Sequence, residues 1–232
     1  DHLIAKGMSA VALHGDLEQR DRDQVLAMFA NRSTSVLVAT DVAARGLDID
    51  ALDMVINVEL ARDSEIHVHR VGRTGRAGEK GVAISLVAPP ESQRARAIES
   101  LQKAPLNWQQ YDALTTKGGA RLQPAMTTLC IASGRKDKLR PGDILGALTG
   151  EAGIPGKQVG KIAIFDFQSY VAVEHAIAQQ ALDRLSKGKI KGKSLRVRII
   201  CSLFSFSFIA AHCIRPGPAS RQSRPPQVPL RA

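Results

Sequence analysis

Short apolar runs alternate with longer amphipathic segments over the first 104 residues. The runs are rich in β-branched residues and predict strands at 36–39, 54–58 and 82–87. Between and after them, apolar positions recur at helical spacing and predict helices at 17–30 and 92–102. Continuous apolar strands that alternate with helices are typical of a parallel sheet buried on both faces. The pattern therefore predicts an α/β lobe over residues 1–104.

The order of elements changes after residues 105–125, a segment with little periodicity and the pair Gly118-Gly119, which predicts a linker. Strands are predicted at 127–132, 161–165, 170–173 and 195–200, and helices at 141–149 and 174–185. This order, βαββαβ, predicts a smaller α+β domain of the ferredoxin-like kind over residues 126–200. The remaining residues, 201–232, contain five prolines and scattered arginines, and we expect a disordered tail or one foreign to the natural protein.

Charge is distributed unevenly along the chain. The net charge of +10 divides into −2 over residues 1–120, +8 over 121–200 and +4 over 201–232. Such a basic surplus favours a polyanionic partner, with nucleic acid as the leading candidate, because counterions are released on binding. The alternative is a solvated face that serves solubility. The surplus includes two groups of basic residues, Arg135, Lys136 and Lys138 in one turn and Lys187, Lys189, Lys191 and Lys193 in a run.

Several classes of protein do not fit the composition. With 44% hydrophobic and 23% charged residues, the chain has the material for packed domains. It has no apolar stretch of the roughly 18 residues that a membrane helix needs, and we expect no membrane partner. Its three cysteines are odd in number and lack metal-ligand spacing, so we assign no metal site or disulfide framework and expect a reducing compartment, the cytoplasm. We also expect a monomer. The first residue is Asp1 rather than methionine, and we expect a chain truncated at its start.

The most specific motif is His-Arg-Val-Gly-Arg-Thr-Gly-Arg at residues 69–76. It places Arg73 and Arg76 three residues apart among glycines. Guanidinium groups can grip phosphate oxygens and offset the charge that develops in phosphoryl transfer, while glycine lets the backbone approach closely. The motif indicates arginine fingers, and a glycine-rich basic turn without function is the alternative.

A second motif, Ala-Thr-Asp-Val-Ala-Ala-Arg-Gly-Leu-Asp-Ile at residues 39–49, follows a predicted strand. Ligands of open α/β sheets gather beyond the carboxyl ends of strands, where Thr40, Arg45 and Asp48 are expected. This position favours a binding loop. A helix cap at Thr40 and a surface ion pair at Arg45 explain the same residues equally well.

Together the two motifs resemble motifs V and VI in the second RecA-like lobe of the DEAD-box RNA helicases, over residues 1–104. The resemblance implies that Arg73 and Arg76 contact the γ-phosphate of ATP and that Asp48 contacts its ribose. It further implies that His69 and Arg70 couple two lobes. The stretch His14-Gly15-Asp16 resembles the segment that holds the RNA backbone. The residues implied on the RNA-facing side are Gln19, Arg22, Thr40, Arg45 and Gly46.

Other parts of that family's machinery do not occur in the 232 residues. There is no phosphate loop of the pattern G-x-x-x-x-G-K-S/T and no Asp-Glu-Ala-Asp box. Without them the arginines have nothing to act on, so we expect this chain alone not to hydrolyse ATP. The resemblance implies the C-terminal half of a longer enzyme, whose other RecA-like lobe is a partner and holds most of the contacts to Mg²⁺.

The second domain resembles an RNA-recognition motif that has lost part of its aromatic platform. Cys130 occupies one expected aromatic position and Gln168 another, while Tyr170 remains as a stacking residue. The lysine run and the basic turn could instead hold a structured RNA by its phosphates. A sheet that serves only as a protein-docking surface is the alternative.

A RecA-like lobe followed by such a domain resembles the bacterial DbpA-type DEAD-box helicases. The resemblance implies an RNA-stimulated ATPase that is directed to 23S ribosomal RNA during assembly of the large ribosomal subunit. Two alternatives remain, a stand-alone RNA-binding protein without enzymatic activity and a different helicase of the same superfamily.

Overall fold

The computed structural model describes residues 1–44, 49, 52–75, 80–110, 122–150 and 153–200. They divide into two compact units, one formed by residues 1–11, 20–37 and the chain from 123 onward, the other by residues 12–19 and 38–122. The expected tail at 201–232 lies outside the described residues, as does the segment 111–121 of the expected linker.

Two small sheets and five helices make up the described part of the first 104 residues. Strand β1 pairs with β2, and β3 pairs in parallel with β4, with Met54 opposite Val82. In chain order the elements are α1 His2–Ala5, β1 Ala10–Leu13, α2 Gln19–Ala30, β2 Val36–Ala39, α3 Asp41–Ala44, β3 Met54–Asn57, α4 Ser64–Val71, β4 Val82–Ser85 and α5 Ser92–Gln102.

The hydrophobic pattern located the elements of this part better than it predicted their burial. Strands β2, β3 and β4 and helices α2 and α5 form where the sequence predicts them. Strand β1, four small or aliphatic residues, escaped the prediction because the run is too short for its periodicity to show. The expectation of burial on both faces is wrong for β3 and β4, where Ile56 is 57% and Ile84 is 41% exposed.

The smaller domain is a four-stranded antiparallel sheet with two helices. Its strand order is β6-β7-β5-β8, which confirms the predicted βαββαβ arrangement. Proline at the first position of α6 is compatible with the helix because that position needs no N–H donor. The elements are β5 Met126–Ile131, α6 Pro141–Thr149, β6 Val159–Ile164, β7 Ser169–Glu174, α7 Ala178–Lys187 and β8 Val197–Ile200.

One face of this sheet packs against the two helices and forms the core of the domain. Leu129 and Val171 from the sheet are fully buried, as are Ile144 of α6 and Ala181 of α7. Alternate residues of a strand point to opposite faces, so Thr128, Cys130 and Tyr170 belong to the other face. These three are buried as well, between 0% and 3% exposed. Both faces of the two central strands are therefore covered.

Candidate nucleotide and RNA interface

The turn that carries Arg73 is fixed by backbone hydrogen bonds on both sides. Helix α4 is capped by Asp63, whose carboxylate accepts a 2.8 Å bond from the Glu65 N–H. After its last turn, the N–H of Arg73 donates to the Arg70 carbonyl at 3.2 Å. The carbonyl of Arg73 accepts from the Leu52 N–H at 3.0 Å, and the Thr74 hydroxyl donates to the Leu52 carbonyl. The backbone of Arg73 is thus held at the end of α4, with its side chain half-buried.

Arg70 joins this turn to the second motif. Its Nε and Nη2 donate to the two carboxylate oxygens of Asp41 at 2.7 and 2.6 Å, a bidentate pair. Its Nη1 donates to Asn57 Oδ1 at 3.1 Å and to the Glu59 carbonyl at 2.9 Å. One side chain therefore fixes α4 to the start of α3 and to the end of β3. The structure thus joins Arg70 of the first motif to Asp41 of the second.

The two histidines of α4 lie in different environments. His69 is exposed, whereas His67 is 4% exposed and its Nδ1 has no hydrogen-bond partner among the described residues. Burial, assisted by the charge of Arg70, lowers the pKa of His67 below its ordinary value. His67 is therefore a neutral packing residue at neutral pH.

The residues expected on the RNA-facing side of the first lobe are only partly described. Gln19, at the start of α2, and Thr40, after β2, are exposed, and Arg22 on α2 is half-buried. The Thr40 N–H donates to the Leu13 carbonyl at 3.2 Å, which fixes its backbone beside β1. The predicted site residues Arg45, Gly46, Asp48 and Arg76 lie outside the described residues.

The lysine run of the second domain is anchored to the fold. Ile190 is 1% exposed, and its N–H and carbonyl exchange bonds of 2.9 and 3.0 Å with Lys193. Lys191 and Gly192 between them both have positive φ, 51° and 76°, which is typical of a tight type I′ turn. Lys191 Nζ donates to the Lys138 carbonyl at 2.6 Å and lies 4.0 Å from Asp143. Lys191 and Lys193 are therefore held by a defined turn.

Most of the predicted basic residues of this domain are brought to one side of it. Lys138, Lys191 and Lys193 line one hollow, and Lys189 lines the neighbouring one with Arg184. Lys187, at the end of α7, is exposed. We define the basic cluster as Lys138, Arg184, Lys187, Lys189, Lys191 and Lys193.

Arg135 and Lys136, which follow β5, instead contact the end of β6 and the loop between β6 and β7. Arg135 donates to the Ile164 carbonyl at 3.2 Å and pairs with Asp166 at 3.4 Å. Lys136 Nζ lies 4.2 Å from the centre of the Phe167 ring, a cation–π contact. Phe167 is 67% exposed and is not among the predicted site residues. An aromatic residue just before a β-strand, three residues from Tyr170, was the signal that could have found it.

The expectation that Tyr170 offers a stacking surface is wrong for this conformation. Its side chain is 0% exposed and meets Phe165 edge to face at 5.5 Å between ring centres. Burial raises the pKa of its phenol well above the usual range. The physical reason is that the sheet face that carries Tyr170 is covered.

No group of three or more His, Cys, Asp or Glu side chains that could hold a metal ion occurs in the described part of the chain. Among the same residues, no helix is long and apolar enough to cross a membrane.

Comparison with known proteins matches both parts of the chain. Residues 1–78 match the helicase conserved C-terminal domain, and residues 128–199 match the DbpA RNA binding domain. The chain is 56% identical over 200 residues to the ATP-dependent RNA helicase DbpA of Escherichia coli, covering 86% of this chain and 43% of that one. It is 33% identical over 219 residues to the protein of the same name from Bacillus subtilis, covering 85% and 45%.

The chain thus spans less than half the length of these two curated relatives. Among solved structures, a DEAD box protein from Methanococcus jannaschii is 43% identical over 45% of this chain and 29% of that one, with a TM-score of 0.42.

Proposed function

This chain belongs to the DbpA-type DEAD-box RNA helicases, as the counterpart of their C-terminal part, and on that premise we propose that the whole protein is an ATP-dependent RNA helicase. In this proposal Arg73 and Arg76 stabilise the γ-phosphate as it is transferred, and Asp48 contacts the ribose. A second RecA-like lobe outside this chain supplies the phosphate loop and most of the contacts to Mg²⁺.

The observation that carries the proposal is the four-bonded guanidinium of Arg70. It holds the turn that carries Arg73 against the start of α3 at Asp41, and in this proposal the binding loop that follows α3 shares that frame. Rigid placement of charged donors is what catalysis of phosphoryl transfer requires, because little covalent chemistry is left for the protein. The exposed His69 is in this proposal a contact to the other lobe, and Arg70 is a positioning residue.

RNA binding is divided between the two domains in the proposal. The first lobe contacts the RNA backbone through Gln19, Arg22, Thr40, Arg45 and Gly46. The basic cluster of the second domain holds phosphates of a structured element, and Phe167 with Lys136 offers one aromatic face to an unpaired base. We propose hairpins of 23S ribosomal RNA as that element. In this proposal the protein is a cytoplasmic factor in assembly of the large ribosomal subunit, and it acts as a monomer.

The helicase proposal is tested by ATP-dependent strand separation with the whole protein. A short RNA duplex carrying a ribosomal hairpin should be separated in ATP and Mg²⁺, and a non-hydrolysable ATP analogue should support no repeated turnover. A protein that binds the same RNA tightly but never separates the duplex would instead be the stand-alone RNA-binding protein. An upstream reading frame with a phosphate loop and an Asp-Glu-Ala-Asp box favours the enzyme before any assay.

The choice of RNA is tested separately with this chain by titration against a 23S ribosomal hairpin and a scrambled RNA of equal length and composition. Tighter binding to the hairpin supports the ribosomal target, and equal binding contradicts it. Phe167→Ala should weaken binding by about 1–3 kcal/mol while Phe167→Tyr retains it, since either aromatic ring can stack on a base.

A further inference from the structure

One backbone amide of the first lobe is bonded to a charged group on each side. The carbonyl of Glu59 accepts a 2.9 Å bond from Arg70 Nη1, and the N–H of Leu60 donates a 3.0 Å bond to Glu91 Oε1. These two backbone groups belong to the same planar peptide unit, whose C=O and N–H point in opposite directions. The amide dipole is therefore aligned between a cation at its oxygen and a carboxylate at its N–H, an arrangement in which each bond strengthens the other.

The carboxylate of Glu91 is itself held in one orientation. Glu91 ends a single 3₁₀ turn, Pro89–Glu91, directly before α5. Its Oε2 accepts a bond from the Ala88 N–H at 3.1 Å, and Arg94 Nη1 donates to its Oε1 at 3.4 Å. Only 15% of its side chain is exposed. A carboxylate with three donors and little contact with water is a fixed acceptor for the Leu60 N–H.

The side chain of Leu60 adds a second attachment to α5. It is 4% exposed and packs in one cluster with Ala95 and Ile98 of that helix. Both the N–H and the side chain of Leu60 are therefore bound by the turn before α5 and by α5 itself. The Glu59 carbonyl belongs to the same rigid peptide unit as the Leu60 N–H, so the acceptor of Arg70 is fixed with them.

Arg70 relates this amide to the two motifs of the first lobe. Its guanidinium also binds Asp41 and Asn57, and its own carbonyl accepts the Arg73 N–H at 3.2 Å. A guanidinium is planar and rigid, so moving the acceptor of one nitrogen changes the angle at which the others meet their partners. The position of Glu91 therefore bears on the bidentate pair of Arg70 with Asp41, although Glu91 belongs to neither motif.

A helix cap is the other role that Glu91 could have. The bond from the Ala88 N–H closes the turn before α5, and caps stabilise helices wherever they occur. A cap does not require the bond from Leu60, which lies 31 positions away in the segment after β3. This long-range bond distinguishes a connection to Arg70 from a cap alone.

We propose that Glu91 is a positioning residue that fixes the amide between Glu59 and Leu60 and thereby the guanidinium of Arg70 and the turn that carries Arg73. The positioning of Arg70 stands on contacts within this chain. Its effect on ATP turnover rests on the proposed function, in which Arg73 acts on the γ-phosphate.

Nuclear magnetic resonance of the isotopically labelled full chain tests the positioning directly. The Nε–H of Arg70 is bonded to Asp41, so its signal reports on the geometry of that pair. Glu91→Ala should shift this signal by more than its line width, because the acceptor on the other side of the guanidinium is no longer fixed. The same variant should speed hydrogen exchange of the Leu60 amide roughly tenfold or more, since its charged acceptor is lost.

The matched control is Glu99→Ala. Glu99 is a second carboxylate of α5, but it accepts bonds from the Leu106 N–H at 3.1 Å and from Trp108 Nε1 at 3.2 Å. This variant should leave the Arg70 signal in place. If Glu91→Ala does not fold, Glu91→Gln keeps the length of the side chain without its charge and should shift the signal in the same direction by less. An unmoved Arg70 signal in the folded variant, or an equal shift in the control, overturns the proposal.

ATP turnover of the whole protein tests the consequence for the reaction. Glu91→Ala should lower kcat of RNA-stimulated turnover roughly tenfold and leave KM for ATP within about twofold, because the arginine acts in the transition state. Glu99→Ala should retain kcat. Equal kcat values for the two variants would mean that Glu91 only caps α5, which overturns the proposal. If the unchanged whole protein shows no RNA-stimulated turnover, the proposed function fails, while the Arg70 signal still decides whether Glu91 positions Arg70.

Discussion

At the residue scale, Arg70 decides whether the two motifs of the first lobe meet. Its planar guanidinium matches the two oxygens of Asp41 and reaches Asn57 and the Glu59 carbonyl at the same time. Lysine cannot reproduce that geometry because its ammonium is a point charge with a single nitrogen. The role of Arg70 follows from its shape as much as from its charge.

We therefore expect Arg70→Lys to destabilise the protein by about 1–2 kcal/mol, with the lower figure favoured because the pair is partly exposed. Chemical denaturation at neutral pH measures this. Arg62→Lys is the control, since Arg62 is exposed. Equal midpoints for the two variants would contradict the positioning role of Arg70.

The buried His67 should make the stability of the protein depend on pH. Its pKa in the folded protein lies below the unfolded value of 6.5, so below that pH the unfolded chain binds a proton that the folded chain does not. Stability is unaffected by this group above pH 6.5 and falls as the pH drops through the unfolded pKa toward the folded one.

Replacing His67 with phenylalanine, which is neutral and of similar size, should reduce the loss of unfolding free energy between about pH 7.5 and about pH 5. Urea denaturation at both pH values measures the difference. His69→Phe, two residues away and exposed, should retain the loss seen in the unchanged protein. If the His67 variant loses as much unfolding free energy at low pH as the unchanged protein, burial of the neutral His67 imidazole does not cause that loss.

At the scale of elements, tight turns fix where the strands and helices of the second domain meet. Gly134 follows β5, and a side chain there would place Cβ within 2.6 Å of the Asp166 carbonyl carbon and closer still to the Phe165 carbonyl oxygen. The neighbouring Arg135 N–H donates to that same Phe165 carbonyl at 2.7 Å. The backbone on both sides has no room to move apart.

Gly134→Ala should therefore destabilise the protein by about 1–3 kcal/mol, as overpacking of a rigid site does. Gly146, inside α6, has no neighbouring atom within 4 Å of the place that an added methyl group would take. Gly146→Ala should accordingly stabilise the protein by about 0.5–1 kcal/mol through helix propensity. Thermal unfolding should move in opposite directions for the two variants. A shift in the same direction would mean that the Gly134 turn can relax.

The sequence predicted the second domain more completely than the first lobe. Three of its four strands have six residues each, and the structure confirms the predicted strand order with strand limits that agree within two residues. The strands of the first lobe have only four residues each, too few for a period to be measured, so β1 was missed and the burial of β3 and β4 was misjudged.

The candidate site could be predicted only in its residue types. A motif shows which residues carry the chemistry, so Arg70 and Arg73 could be selected as candidates, but only tertiary contacts show that Arg70 binds Asp41. Tyr170 was misjudged for a related reason. Nothing in the residues of β7 indicates that Gln24 and Ser33, more than 130 positions before Tyr170, bond residues of β5 and β8 on the same side of the sheet.

At the scale of the whole molecule, net charge differs between the two parts of the chain. Residues 1–120 carry −2 and residues 121–200 carry +8, so attraction to RNA phosphates is concentrated in the second domain. The anchored turn at Lys191 and Gly192 holds part of this charge in a fixed position, which favours phosphates in a defined arrangement over a flexible strand.

Replacing Lys187, Lys189 and Lys193 with glutamine should weaken hairpin binding and lower the slope of log K against log salt by up to about 2–3, since each lost phosphate contact removes about 0.7–0.9. Lys191 is left in place because it bonds the Lys138 carbonyl. The matched control replaces Lys6, Lys80 and Lys103, three exposed lysines of the first 104 residues, with the same change in charge. Equal slopes for both triple variants would mean that the basic cluster only solubilises the domain.

The central claim is that this chain supplies the arginines that act on ATP bound in a longer helicase. It is tested most directly by RNA-stimulated ATP turnover of the whole protein with Arg73→Ala, compared with Arg62→Ala as the control for charge. We predict that the Arg73 variant keeps its affinity for RNA and loses turnover by roughly 10³-fold or more, while the Arg62 variant retains it. Unchanged turnover in the Arg73 variant would contradict the account.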